Sequence, residues 1–405
     1  MSSTIRTLVT TLAVAATVSF PAAMADTTSS LNVAPPPIIM PQSPSIPVKS
    51  YILTDDEGYV LASKNPHEKL APASLTKLMT LYVIFDALKT GQINITDKVH
   101  ISNKAWRTGG SRMFLKPGTS VPVQLLIEGI IVDSGNDACV AMAEDIAGST
   151  DGFVSLMNAH AQRLGMNDTH YDNVTGLPHP GHVSSAYDLA LLARTIHNTF
   201  PEYYHDFSQK WFTYNKIKQS NRNRLLWRDS HVDGMKTGHT DSAGYCLVAS
   251  EEKNNMRLFS VVMGAKSDTA RANTSQQLLN FGYHFFEKHT LFKANDTLAS
   301  PRIWQAQEKT TPMGVTQHFN VVIPRGHYRD LKANVTFTNP HLKAPIKQGA
   351  TYGKVTVSLN GKVKKEAPLV ALHKNDVGSM WQRTRDWALG FFDHSDTQSA
   401  TTKQG

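Results

Sequence analysis

The stretch "APASLTKLMTLYVIFDAL", residues 71–88, places a serine and a lysine three positions apart at the head of an apolar run. Proline followed by serine reads as a helix start with Ser74 at the N-cap. The residues behind it are apolar on nearly every face, the mark of a helix buried all round. On such a helix positions i and i+3 share a face, so Ser74 and Lys77 point together. Two readings stand: Ser74 is a nucleophile that uses Lys77 as its base, or it is an ordinary cap beside an unrelated amine. Spacing alone does not decide, because Ser-x-x-Lys should arise about once by chance in a chain this long. A second copy, "SEEK" at 250–253, lies in the polar stretch "SEEKNN" and reads as an exposed turn.

A serine–lysine site makes demands that the rest of the chain can be searched for. An unperturbed lysine has a pKa near 10.4, so to act as a base at pH 7 it must fall by about three units, roughly 4 kcal/mol. A second cation at about 4–5 Å supplies roughly 3–4 kcal/mol at an effective dielectric near 20, and burial adds more. The chemistry also needs a proton relay to the leaving amine and a pair of N–H donors for the oxyanion. Lys-Thr-Gly occurs twice. In "FDALKTGQI" Lys89 and Gly91 close the helix that begins near Ser74, a lysine in the last turn followed by a left-handed glycine. In "HVDGMKTGHTDSAGYCLVAS" the triplet Lys236-Thr237-Gly238 runs into apolar strand residues, where a sheet edge presents it to a cleft. Between them, Ser134-Gly135-Asn136 in "VDSGNDACVAMAE" forms a turn just before a helix.

The chain of 405 residues is 40% hydrophobic and 18% charged, enough for two or three folded domains. Residues 1–25 hold one charge, Arg6, a short apolar core and "AMA" before Asp26, which reads as a secretory signal peptide. The net charge is +8, or +7 once Arg6 is removed, a modest excess of base that suits anionic surroundings. No lysine–arginine cluster suggests nucleic acid. The two cysteines, Cys139 and Cys246, either pair or stay as buried thiols. Among 17 histidines, His179 and His182 in "LPHPGHVSSAYD" invite a metal, but the "HPGH" loop lacks helical ligand spacing, so no metal is expected.

Along the chain a proline-rich linker covers residues 26–47. Residues 48–292 have strand-like runs at both ends ("SYILTDD", "YVLAS"; "GYCLVAS", "LFSVVMGA") around a helical middle, which predicts one mixed α/β domain whose sheet joins the two ends. Over residues 298–375 the period becomes two, with Leu331, Ala333, Val335 and Phe337 and then Val355, Val357 and Leu359 alternating, and Asn360-Gly361 marks a hairpin of a small all-β domain. "VGSMWQRTRDWALGFF", residues 377–392, returns to helical spacing with Met380, Trp381, Thr384, Trp387, Ala388 and Phe391 on one stripe, and a polar tail follows over 393–405. Two tryptophans beside arginines on a segment too short to span suit the headgroup boundary of a membrane.

Ser74-Leu75-Thr76-Lys77, Ser134-Gly135-Asn136 and Lys236-Thr237-Gly238 match in order the three-motif signature of penicillin-recognising serine enzymes. With "GGSRMFLKPG" and "VIPRGHYRDLKA" the chain resembles, over about residues 40–392, the low-molecular-mass D-alanyl-D-alanine carboxypeptidases of the penicillin-binding protein 5 type. The resemblance implies a penicilloyl-serine transferase, β-lactamase-like catalytic domain, a β-sandwich stalk and a C-terminal amphipathic helix. It implies catalysis by Ser74, Lys77 and Ser134, substrate binding by Asn136, Lys236, Thr237, Gly238, His239 and Arg271, with Arg222 a further candidate, and no cofactor. Lys236 would steer the substrate carboxylate and lower the pKa of Lys77, and Asn136 would hold the substrate amide and Lys77. The implied partners are peptidoglycan pentapeptide stems, β-lactams as covalent inhibitors and, through the terminal helix, a membrane surface. The implied location is the periplasm, at the outer face of the inner membrane. The resemblance departs at Val183 in "PGHVSSAYD", where relatives often carry a different residue before the two serines. A β-lactamase of this superfamily would need a glutamate between Ser134 and Lys236, where only Glu144 and Glu202 occur, neither in the expected loop. A D,D-endopeptidase would share all three motifs.

Overall fold

The apolar run after Lys77 forms the helix Lys77–Lys89, and every residue from Lys77 to Leu88 except Asp86 is buried. The start differs from the expected cap. Residues Ala73–Thr76 form a 3-10 turn and the Ser74 side chain caps nothing, because its hydroxyl is turned toward Lys77 instead. The helix ends as its sequence predicts, with Lys89 in the last turn and Gly91 at φ 74°.

The computed structural model describes residues 40–396. The expected signal peptide, residues 26–39 of the linker and residues 397–405 of the tail lie outside the described residues. The chain divides into two units, residues 41–287 and residues 288 onward. The last part of the expected linker is not a spacer: Ile46 is buried, and Tyr51 donates to the Pro44 carbonyl. Pro41 onward therefore belongs to the first unit.

In the first unit the runs from the two ends do share one sheet. It is five-stranded and antiparallel, ordered Val60–Lys64, Ser50–Asp55, Met256–Ala265, Gly244–Lys253 and Val232–Thr240. Side chains alternate across it. Ile52, Val248, Phe259, Val261 and Met263 join the large core of the helical middle, while Leu53 and Leu258 meet Gly282 of the helix Asp268–Phe285. The Lys236 triplet lies in the strand Val232–Thr240 at the sheet edge.

"SEEK" is not an exposed turn. Ser250 and Glu251 are fully buried at the end of the strand Gly244–Lys253, and the turn falls one step later, at Asn254 and Asn255 with positive φ. The charges are tolerated because they are paired: Arg257 donates to Ser250 Oγ at 2.6 Å, and Lys253 bridges Asp229 and Glu251. The helical middle is also interrupted. Val123–Glu128 passes into a π-turn over Gly129–Asp133, Ser134 takes a left-handed conformation at φ 58°, and only then does the helix Asn136–Ala147 begin.

The second unit is the expected small β structure. One sheet runs Thr297–Ala299, Met313–Gly314, Lys362–Ala371, Thr351–Leu359, Leu331–Phe337, and a second pairs Phe286–Phe292 with Phe319–Pro324. Val355, Val357 and Leu359 point into its core with Phe319, Ile323 and Leu369. Asn360 and Gly361 both have positive φ, which closes the Thr351–Ala371 hairpin as the dipeptide predicts.

The C-terminal helix runs Met380–Asp396, starting three residues later than the sequence suggests and absorbing residues 393–396 of the expected tail. Ser379 and Gln382 fix the start reciprocally, the Ser379 N–H donating to Gln382 Oε1 at 2.7 Å and the Gln382 N–H reaching Ser379 Oγ at 3.4 Å. Asp386 faces away from the apolar stripe, as expected, but it is buried rather than solvated. It accepts from the Gln305 N–H at 2.8 Å and from Arg302 at 3.4 Å. The helix thus docks by its polar side, leaving Trp381 78% and Trp387 65% exposed.

Candidate active site

The 3-10 turn, the left-handed Ser134 and the sheet edge bring the three motifs to one cleft of about 700 Å³, lined by Ser74, Ser134, Thr237, Gly238, His239, Arg222 and Arg271. Lys77 Nζ lies 2.8 Å from Ser74 Oγ and donates to the Thr175 carbonyl at 2.6 Å. Lys236 Nζ lies 3.0 Å from Ser134 Oγ and 3.2 Å from its neighbour's carbonyl at Thr237. Two hydroxyls and two amines are therefore paired, one pair on the helix turn and one across the cleft.

Close approach explains Gly238. A Cβ there would lie 2.9 Å from the Pro72 carbonyl and 3.1 Å from the Ser74 amide nitrogen, so only glycine lets the strand meet the turn that carries Ser74. Gly176 serves the same end on the other side, where a Cβ would collide with the Ala73 carbonyl. The loop holding Thr175 is tied down by His182, which is buried. Its Nδ1 accepts from the Asp172 N–H at 3.0 Å, which makes Nε2 the donor to Thr76 Oγ1 at 2.7 Å. Burial lowers the His182 pKa to about 4, so the ring stays neutral. His179 pairs with the Asp172 carboxylate at 3.0 Å, a partner that sequence spacing did not reveal. These two histidines brace a loop. Among the described residues one cluster has metal-ligand geometry, Asp229, His231 and Glu251, and Lys253 already bridges its carboxylates.

The electrostatics differ in emphasis from the sequence reasoning. Burial is the first cause that takes the Lys77 pKa down to about 8, with the Arg222 guanidinium pushing the same way. Lys236 is held well below the usual amine value, first by burial and then by the charge of Lys77. The repulsion is mutual, so one neutral amine in the pair is the favourable state. At a pKa near 8 about a tenth of Lys77 is neutral at pH 7, against a few in ten thousand for a free amine. Asp133, buried beside Ser134, has its carboxyl pushed up to about 7 by burial.

The remaining expected residues take defined places. Asn136 does not reach Lys77: its Nδ2 donates to the Gly109 carbonyl at 2.7 Å, and its buried Oδ1 has no hydrogen-bond partner. His239 stands opposite Tyr245 in the neighbouring strand, with ring centroids 4.0 Å apart. Arg271 is no surface arginine. It is buried, donates to the Gly238 carbonyl at 3.2 Å and pairs with Asp268, so it braces the strand while lining the cleft. Arg222 is the more open cation, with Nη1 donating to Ser111 Oγ at 2.7 Å. Glu144 is engaged with Ser102 Oγ at 2.6 Å and Glu202 is exposed at the Pro201–Tyr204 turn. Both cysteines are free and buried. The contribution of Thr175 was not visible in the sequence, since it acts through a backbone carbonyl that no side-chain pattern encodes.

Residues 38–267 match the family model described as D-alanyl-D-alanine carboxypeptidase, and residues 286–377 match the C-terminal domain of penicillin-binding protein 5. The D-alanyl-D-alanine carboxypeptidase DacC of Escherichia coli strain K12 is 45% identical over 356 residues, covering 86% of this chain and 89% of that protein. The crystal structure of penicillin-binding protein 5 from Haemophilus influenzae superposes with a TM-score of 0.78 at 40% identity, covering 83% of this chain and 99% of that one. Penicillin-binding protein D2 from Listeria monocytogenes in its ampicillin-bound form superposes with a TM-score of 0.55 at 27% identity over 60% of this chain and 100% of that one.

Proposed function

Because the chain belongs to the D-alanyl-D-alanine carboxypeptidase family, we propose that Ser74, Lys77 and Ser134 carry out its reaction, the removal of the terminal D-alanine from peptidoglycan stems through an acyl-enzyme. The protein is a serine carboxypeptidase with a penicilloyl-serine transferase-like catalytic unit and a C-terminal β-sandwich. The observation that carries the assignment of roles is the double pairing of Ser74 with Lys77 at 2.8 Å and of Ser134 with Lys236 at 3.0 Å in one cleft.

With Lys77 neutral, the Ser74 hydroxyl donates to Nζ and its oxygen attacks the carbonyl between the two terminal D-alanines. The proton passes to Lys77 as the C–O bond forms. The oxyanion sits between the backbone N–H groups of Ser74 and His239, brought together by the contact at Gly238. Collapse breaks the C–N bond: Ser134 hands its proton to the departing D-alanine nitrogen and takes up in its place the proton held by Lys77, which returns Lys77 to the neutral amine. Lys236 and Thr237 hold the terminal carboxylate with Arg222 or Arg271, and the free Oδ1 of Asn136 takes the stem's amide N–H. Water then hydrolyses the ester, with Lys77 as its base. A penicillin is attacked in the same way and leaves the same Ser74 ester. Release of D-alanine from a pentapeptide, compared with turnover of a chromogenic cephalosporin, tests the reading. D-alanine release with slow cephalosporin turnover is expected, and fast cephalosporin turnover without D-alanine release would make it a β-lactamase.

The catalytic domain is the unit of residues 41–287 rather than 48–292, the β-sandwich that follows it is a stalk, and the terminal helix attaches the exported enzyme to the outer face of the inner membrane. No helix of the described residues is long and apolar enough to cross a bilayer. The support is the direction of docking, with Asp386 turned inward and Trp381 and Trp387 outward. A chain ending at Asp376 is expected to keep full activity on a small peptide and to stop sedimenting with anionic liposomes. Trp381→Ser with Trp387→Ser, which leaves the Asp386 contacts in place, should lose sedimentation too. Vesicle binding undiminished in both would refute the anchor.

A further inference from the structure

The wall of the cleft continues beyond the reacting groups into two tryptophans that the chemistry at Ser74 does not need. Trp211 opens the hairpin of strands Trp211–Tyr214 and Ile217–Ser220, and Trp227 lies in the short helical turn Leu225–Arg228. Both line the same cleft as Ser74 and Ser134. Their ring centroids are 6.1 Å apart at 87°, so they form an open corner, and they are 49% and 44% exposed. Lack of core space does not force this exposure: the adjoining Phe212, Leu225 and Leu226 are buried, while the two indoles turn outward. A pair of large aromatic faces left half bare on a cleft wall marks a binding surface.

The chemistry around the corner narrows the occupant. Lys218 Nζ stands 4.7 Å over the Trp211 ring, and Ser220, Asn221, Arg222 and Arg224 bring donors to the same wall. Flat apolar faces edged by hydrogen-bonding groups suit a pyranose ring, whose C–H faces lie on an indole while its hydroxyl and acetamide groups reach the polar edge. The terminal D-alanines offer methyl groups and a carboxylate, which the serines, lysines and arginines already serve. A cleft of about 700 Å³ is on the scale that encloses a drug-sized ligand, larger than a terminal dipeptide. A pentapeptide stem spans at most about 17 Å when extended, so the glycan that carries it stays near the cleft.

We propose that Trp211 and Trp227 form a sugar-binding shelf that docks a pyranose ring of the peptidoglycan glycan beside the cleft, favouring stems still joined to their strand over free peptides. This rests on the carboxypeptidase reading above. The test compares D-alanine release from a free pentapeptide with release from the same pentapeptide joined to its disaccharide, using the full chain and its Trp211→Ala, Trp227→Ala and Trp211→Phe variants. On the free peptide all should stay within about twofold, while on the disaccharide-borne stem the alanine variants should raise KM about fivefold at unchanged kcat. Trp211→Phe, which keeps a flat ring, should retain most of the affinity. Equal KM rises on both substrates, or none on the disaccharide-borne one, would overturn the shelf. Saturation-transfer NMR with the disaccharide alone reads binding without turnover, and a signal from the wild type that Trp211→Ala does not reduce overturns it as well. Penicillin labelling of Ser74 is scored in parallel: its absence in the wild type would count against the catalytic assignment, and the NMR result would still judge the shelf.

Discussion

Ser74→Ala is expected to lower D-alanine release by roughly 10⁴-fold or more and to abolish covalent labelling by fluorescent penicillin, because both require the same ester to the Ser74 oxygen. The structure makes this a clean experiment. Ser74 caps no helix, and its hydroxyl meets only Lys77 Nζ, so its removal deletes no structural hydrogen bond to the backbone. The variant should therefore melt close to the wild type. Ser250→Ala is the control in the other Ser-x-x-Lys. There the hydroxyl accepts from the buried Arg257, and its loss leaves a buried donor short of a partner, costing on the order of 1–2 kcal/mol of stability. Label and activity should nevertheless survive in whatever fraction folds. Label persisting on Ser74→Ala, or vanishing from folded Ser250→Ala, would sink the assignment.

These two serines also show what a sequence can and cannot disclose. Ser74 was separable from Ser250 only by the apolar run behind it, and that run does form a helix buried on almost every side. Yet the polar setting that made "SEEK" look exposed was misleading, because Arg257 arrives across the hairpin to pair Glu252 and Ser250, and Asp229 arrives from a separate segment to pair Lys253. Long-range pairing of this kind leaves no local trace. Asn360-Gly361 was legible for the opposite reason: a tight hairpin is set by two adjacent residues that tolerate positive φ. In the site, each side chain proposed to donate or accept a proton could be found from motif order. The Thr175 carbonyl, the left-handed Ser134 and the His182 brace depend on how separate segments meet. Burial of Lys77 belongs with them. A second cation beside it is not the chief cause of its lowered pKa: a 0%-exposed amine is already lowered chiefly by the loss of water.

That change of emphasis sharpens what Lys236→Gln should do. Glutamine keeps much of the length but no charge, so the variant loses the cation beside Ser134 and the terminal carboxylate, and kcat/KM for a pentapeptide should drop about 10²- to 10³-fold. The pH dependence separates this loss from simple misplacement. In the wild type, acylation needs neutral Lys77, so kcat/KM should climb with pH through an apparent pKa near 8. Removing a positive neighbour makes the Lys77 ammonium easier to keep, which raises its pKa and moves the acidic limb to higher pH. Since burial and Arg222 still act on Lys77, the displacement should be about a unit rather than a return to the free-amine value. Lys89→Gln is the comparison that the repeated triplet invites. Lys89 is exposed at the end of its helix, where Nζ donates to the Thr199 carbonyl at 2.9 Å, and its loss should leave kcat/KM within about twofold and the limb unmoved. Equal kinetic damage from the two substitutions would refute the division of the triplets into one that closes a helix and one that faces the substrate. A limb that stays near 8 in Lys236→Gln would show that burial alone sets the base, leaving Lys236 to the carboxylate and to Ser134.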